Sequence, residues 1–121
     1  MGRNNIVGAW GESLAAEFLR KLRFKIIATN YRCRYGEIDL IVANRRYIVF
    51  VEVKLRKSSS FAEAREFVTA SKQRRIISSA MIWLSRTSGQ LQPRFDVIEI
   101  YAPFGESSRS ITINHIEDAF Q

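Results

Sequence analysis

The most constraining stretch is residues 36–54, GEIDLIVANRRYIVFVEVK, where two apolar runs flank a polar turn at Asn44, Arg45 and Arg46. Residues 47–53 are almost wholly apolar and rich in β-branched and aromatic side chains, the pattern of a central strand covered on both faces. Strand side chains alternate, so Ile48, Phe50, Glu52 and Lys54 share one face, and Tyr47, Val49, Val51 and Val53 share the other. On the preceding strand Asp39 shares a face with Ile41 and Ala43. A turn of even length would bring Asp39 to the same side as Glu52, since cross-strand neighbours sit roughly 4.5 to 8 Å apart. An odd turn without a bulge would send Asp39 to the opposite face.

Two carboxylates and an ammonium on a buried face require compensation. A hard divalent cation, Mg²⁺ or Mn²⁺, would supply it: such ions take oxygen ligands and keep several waters, so Asp39, Glu52 and a backbone carbonyl make a partial site that a substrate phosphate could complete. Lys54 cannot ligate a metal, but it can hold a water or screen charge developing on a phosphate. The same three charges would also serve as a buried ion-pair network that fixes strand register.

The charge distribution bears on the choice. The net charge of +7 is uneven: residues 1–30 carry +3, residues 31–75 carry +6 and residues 76–121 carry −2. Arg32, Arg34, Arg45, Arg46, Arg56, Lys57, Arg74 and Arg75 flank the hairpin and its exits, a footprint suited to a phosphate backbone. A length of 121 residues with 46% hydrophobic content suits one domain, residues 1–121. No run reaches the roughly 18 apolar residues a membrane span needs, and the polar N-terminus is unlike a signal peptide, so a cytoplasmic protein with no membrane partner is expected. One cysteine, Cys33, and one histidine, His115, exclude an intramolecular disulfide and a Cys- or His-rich metal cluster, and His115 is expected to be structural rather than part of a Ser-His-Asp triad.

Along the chain, Asn4 or Asn5 is a candidate cap for a helix to about Arg23, with Val7, Trp10, Leu14, Ala15, Phe18 and Leu22 as its apolar stripe. Glu12 falls at the border of that stripe among small neighbours. Residues 24–28 read as a short strand and residues 29–35 as a basic, aromatic loop whose Arg32 and Arg34 could bind phosphates. Residues 55–60, with three successive serines, read as a flexible loop bordering the acids. A helical pattern runs from Phe61 to about Arg86 with a break near residues 69–71, its core side made by Ile76, Ile77, Ala80, Met81, Trp83 and Leu84. Residues 94–100 and 110–116 read as two more strands, with Asp96 expected to pair structurally with an arginine. The order of helix, three strands, helix and two strands predicts an α/β domain with a mixed five-stranded sheet flanked by helices.

Gly11-Glu12, Asn30 with Arg32, residues 36–41, Phe50-Val51-Glu52-Val53-Lys54 with Arg56, Lys72, residues 94–97, His115-Ile116 and Ala119-Phe120 together resemble the YraN-type family of bacterial proteins. That family is itself similar to archaeal Holliday junction resolvases and to the restriction-endonuclease-like PD-(D/E)xK nucleases. The resemblance implies a restriction-endonuclease-like core, with Asp39 and Glu52 as metal ligands, Lys54 as the catalytic lysine and Glu12 as a further acidic member of the site. It also implies a substrate-backbone role for Lys72 and a homodimer, for which the sequence itself shows no interface. Ile38 stands where the superfamily name expects proline, and Ala62 where glycine is expected. The expected function is a divalent-metal-dependent endonuclease acting on DNA, including branched or structured DNA, with Arg32, Arg34, Arg56 and Lys72 on the nucleic acid. A nucleic-acid-binding module that keeps the nuclease fold without turnover is the alternative, and a protein-interaction module is a third.

Overall fold

A computed structural model describes the backbone of residues 2–57 and 68–121 and the side chains of residues 8–57 and 68–121. The elements are α1 (Gly2–Lys21), β1 (Lys25–Cys33), β2 (Gly36–Ala43), β3 (Tyr47–Arg56), α2 (Ala70–Ser85), β4 (Gln92–Tyr101), a short 3-10 turn (Gly105–Ser107) and β5 (Thr112–Phe120). The strands form one sheet in the order β1-β2-β3-β4-β5. β3 and β4 run parallel and the other neighbours antiparallel. The expected α/β architecture with a mixed five-stranded sheet is therefore present, and its element order fits a restriction-endonuclease-like core.

The crossover from β3 to β4 carries α2 onto one face of the sheet, while α1 covers the other. Ala15, Ala16 and Leu19 of α1 pack on Leu40, Val42, Val49, Val51, Ile98 and Ile100. Ile76 and Ala80 of α2 pack on Ile41, Ile48, Phe50, Val97 and Phe120. Alternation along β3 thus feeds two cores at once, which is why residues 47–53 read as a continuous apolar run.

The β2–β3 turn has the even length that the acid pair needs. Ala43 pairs with Ile48, and the Asn44 N–H donates to the Tyr47 carbonyl at 3.0 Å, leaving Arg45 and Arg46 as the two central residues. Asn44 Oδ1 accepts from the N–H groups of Arg46 and Tyr47, each at 2.8 Å, which holds the turn without glycine. Replacing Asn44 with Ala is expected to cost about 1 kcal/mol, read as a lowered urea midpoint; an unchanged midpoint would mean the turn does not depend on that side chain.

Several element boundaries differ from expectation. Residues 29–33 are not loop: β1 continues through them, with Tyr31, Arg32 and Cys33 paired to Ile38, Glu37 and Gly36. The break in pattern that mimics a loop comes from a register shift between Ile26 and Ala28 and from Asn30, which adopts a left-handed φ of 50°. α1 already includes Asn4 and Asn5, so neither begins it, and it ends at Lys21 because Arg23 turns left-handed (φ 72°) while the Phe24 N–H returns to the Leu19 carbonyl. Leu22 is consequently exposed, and Leu19 is the buried residue instead. Met81, expected in the core, lies on the outer side of α2 and is exposed. α2 starts after Thr69, whose side chain accepts the Lys72 N–H at 3.1 Å, in agreement with the expected break there. The helical pattern from Phe61, the serine loop beyond Lys57, Ala62 and the Val7 side chain lie outside the described residues.

Candidate active site

The pairing of β2 with β3 runs to Leu40 opposite Val51, and one further step brings Asp39 opposite Glu52. There the ladder yields to a side chain: Asp39 Oδ2 accepts the Val53 N–H at 2.8 Å. α1 crosses this end of β3, with Gly11 lying over Val53 and Leu55, and so carries Glu12 to the same place. Glu12 is half-buried, and the side chains of Asn30 and Asp39 lie close enough to hydrogen-bond its carboxyl group. From the other face, α2 delivers Lys72, whose Nζ is 2.7 Å from Glu52 Oε2; Lys54 Nζ is 3.8 Å from the same oxygen. Glu52 is 4% exposed.

The sequence-predicted residues Glu12, Asp39, Glu52 and Lys54 thus cluster at the carboxyl end of β3. Lys72 joins them. Expected on the substrate backbone, it is among the described residues the cation closest to Glu52, a contact that residue spacing could not reveal because α2 and β3 meet only in the fold. Arg32 and Arg34 are exposed at the β1–β2 turn. Arg56 is a correction: expected at the surface, it is 7% exposed, with Nε donating to Glu99 Oε2 at 2.9 Å. Tyr101 and Asn114 donate to the other oxygen of Glu99 at 3.0 and 2.9 Å. After desolvation, which acts the other way, these hydrogen bonds and the Arg56 charge hold the Glu99 carboxyl below its ordinary range. An acid inside the apolar run of residues 97–100 was the available signal for this network, as Glu52 was for the pocket.

The pocket carries unresolved negative charge. Burial, and then the charge on Glu52, push the Asp39 carboxyl from its ordinary 3.8 up to about 8; the Val53 N–H opposes this, Glu12 adds to it and Lys72 offsets a part. Burial and the charges of Glu37 and Glu52 likewise raise Glu12, against the hydrogen bonds from Asn30 and Asp39. Lys72 is raised despite its own desolvation, because Glu52 bonds and attracts it.

Among the described residues no three His, Cys, Asp or Glu side chains gather as a ready metal cage. Two carboxylates meeting at a point of mutual repulsion are nevertheless a donor set of the kind Mg²⁺ and Mn²⁺ use with water and substrate oxygens making up the rest. On that chemistry Asp39 and Glu52 fit a hard divalent ion.

The Asp39 shift has a consequence for folding. The folded, metal-free protein keeps a proton that the unfolded chain releases near pH 3.8, so it binds more protons between about pH 4 and 8 and its stability falls as pH rises through that window. Asp39→Asn keeps an oxygen for the Val53 N–H and removes the titration. In EDTA the variant is expected to be more stable than the parent at pH 8, by on the order of 1–3 kcal/mol, with a smaller difference at pH 5. Urea midpoints at the two pH values check this; a parent that loses no more stability than the variant would contradict it.

The profile of the Uncharacterised protein family UPF0102 matches residues 11–100. The chain belongs to that family. Its UPF0102 relatives include a protein of Caldanaerobacter subterraneus subsp. tengcongensis, 43% identical over 94% of this chain and 93% of its own length. A Geobacter sulfurreducens protein is 42% identical, covering 98% of this chain and 91% of the relative, and one from Rhodococcus jostii is 44% identical over 99% and 100%. The family resemblance is thereby borne out over nearly the whole chain, and the UPF0102 match spans Glu12, Asp39, Glu52, Lys54 and Lys72 alike. Among the described residues no helix of this UPF0102 protein is long and apolar enough to cross a membrane.

Proposed function

We propose that this protein is a divalent-metal-dependent endonuclease that hydrolyses phosphodiester bonds of DNA, with branched or otherwise structured DNA as the candidate substrate. The observation that carries the reading is the meeting of Asp39 and Glu52 at the split between β2 and β3, with Glu12 and two lysines around them. Asp39 and Glu52 would hold Mg²⁺ or Mn²⁺, which when bound makes water a stronger nucleophile and offsets charge on the phosphate. Lys54, beside Glu52, orients the attacking water and donates to a phosphate oxygen as negative charge grows there. Glu12, with its raised proton affinity, is suited to take the proton that water gives up. Water's oxygen bonds to phosphorus as the bridging P–O bond breaks, leaving a phosphate monoester and a hydroxyl. The excess of positive charge in residues 31–75 would draw the polyanion to the pocket. A homodimer would present two such pockets to two strands, and a cytoplasmic location fits a DNA substrate.

The test is incubation of linear, flapped and four-way DNA with the purified protein and Mg²⁺ or Mn²⁺. Cleavage of at least one substrate that needs the metal supports the reading; intact DNA across the panel counts against it.

One observation favours the alternative of a non-catalytic nucleic-acid-binding module: the Lys72 ammonium already sits 2.7 Å from Glu52, where a cation could take a metal's place. Calorimetric titration of Mn²⁺ separates the two. Binding that is lost in Asp39→Asn supports the enzyme, whereas salt-sensitive DNA binding indifferent to Mn²⁺ supports the module.

A further inference from the structure

The tip of the β1–β2 hairpin and the last turn of α2 face each other across a groove of about 440 Å³, lined by Arg32, Cys33, Arg34, Ile82, Ser85 and Arg86. The lining holds three guanidinium groups and no carboxylate. Arg32 is 76% exposed at its side chain and, among the described residues, pairs with Glu37, 3.3 Å away on the neighbouring strand. Arg34 stays with its neighbour, 3.2 Å from the Tyr35 hydroxyl and 5.0 Å from the centre of that exposed ring. Arg86 caps α2 through its backbone N–H, and among the described residues its side chain meets no acid. One arginine at a helix carboxyl end is accounted for by the helix dipole. Two more, brought by a different element into the same groove, add like-charge repulsion that no acid in the lining offsets.

We propose that this groove seats the phosphates of a single nucleic-acid strand, with Arg86 as a phosphate-binding residue and the exposed Tyr35 ring, already stacked by Arg34, as a platform for a base. The volume suits a nucleotide-sized group, and arginine with an exposed aromatic ring is the chemistry that single strands meet. The inference rests on the nucleic-acid part of the proposed function and not on hydrolysis.

The experiment measures binding of a short fluorescent single-stranded oligonucleotide by anisotropy in EDTA, where no metal-dependent cleavage occurs. Arg86→Ser is expected to weaken binding about 5- to 10-fold and to lower the salt dependence by about 0.7 in log–log slope. Arg109→Ser, which removes an equal charge from the β4–β5 loop outside the groove, is expected to change affinity by less than about 2-fold. Cys33 supplies a second readout, because it lies in the groove lining: bound oligonucleotide should slow its alkylation by iodoacetamide several-fold. Equal affinities of the two variants, or alkylation untouched at saturating oligonucleotide, would overturn the groove. Pyrophosphate that protects Cys33 as well as the oligonucleotide does would overturn the strand assignment in favour of a small-anion site. A parent protein that binds no oligonucleotide would overturn the groove and the nucleic-acid reading together, whereas groove binding in EDTA combined with intact DNA across the panel in Mg²⁺ and Mn²⁺ would remove hydrolysis alone.

Discussion

Glu52→Gln should lower metal-dependent DNA cleavage by about 10²- to 10³-fold or more while leaving the protein folded. Glutamine keeps the size of the side chain and one oxygen for Lys72 Nζ, which now lies 2.7 Å from the carboxylate, but it removes the negative charge that a divalent ion would require. Glu52 is 4% exposed and is opposite Asp39, so no neighbouring acid can replace it from the same strand position. Stability is expected to change little or to rise, because the substitution also takes away the charge that pushes Asp39 upward. Cleavage rates on a substrate the parent cuts, taken together with urea midpoints, distinguish chemistry from unfolding. Undiminished cleavage by a folded Glu52→Gln protein would place the activity elsewhere.

The second large effect concerns the fold. Asp96 is fully buried, and each of its oxygens is engaged: Arg94 binds both, at 2.9 and 2.8 Å, His115 Nε2 lies 2.7 Å from Oδ2, and the Asp118 N–H donates to Oδ1 at 3.0 Å. Although burial alone would raise the Asp96 carboxyl, the His115 and Arg94 bonds and the Asp118 N–H hold it below its ordinary range, so it is a carboxylate at neutral pH. Asp96→Ala would leave the Arg94 guanidinium, which lies over the Phe24 and Tyr47 rings, with the 3.4 Å contact to the exposed Glu117 carboxylate in place of its bidentate pair, and would free the β5 bulge at Asp118. The expected cost is about 3–5 kcal/mol, the range for removing one partner from a buried ion pair. That is a large share of a total that for a domain is about 5–15 kcal/mol. Thermal or urea unfolding checks it, and a loss below about 1 kcal/mol would mean that the cluster relaxes without harm.

These two acids show how far the sequence could be read. Both interrupt apolar strand runs, so their burial was legible from pattern alone. Asp96 announced its partner, because Arg94 lies two residues away on the same strand face. Glu52 announced Lys54 for the same reason, and the two-residue turn at Arg45 and Arg46 made the convergence with Asp39 a matter of parity. Lys72 and Glu52 were not legible as a pair: their contact depends on how α2 settles on the sheet after the β3–β4 crossover. Arg56 was misplaced because its charge suggested solvent, whereas its fate was decided by Glu99 on the parallel neighbour β4. The single-residue features, the left-handed Asn30 and Arg23 and the bulge at Ile26 and Ala28, displaced boundaries for a related reason. A tertiary requirement there outweighs local preference, and periodicity registers only a broken pattern.

The pairing of Asp39 with Glu52 as a cation site is tested most directly by diffraction from a crystal soaked in Mn²⁺, with data collected where manganese scatters anomalously. A peak in contact with both carboxylates, with Lys72 drawn away from Glu52, is the expected result. A map without signal in that pocket, with Lys72 still bound to Glu52, would contradict it.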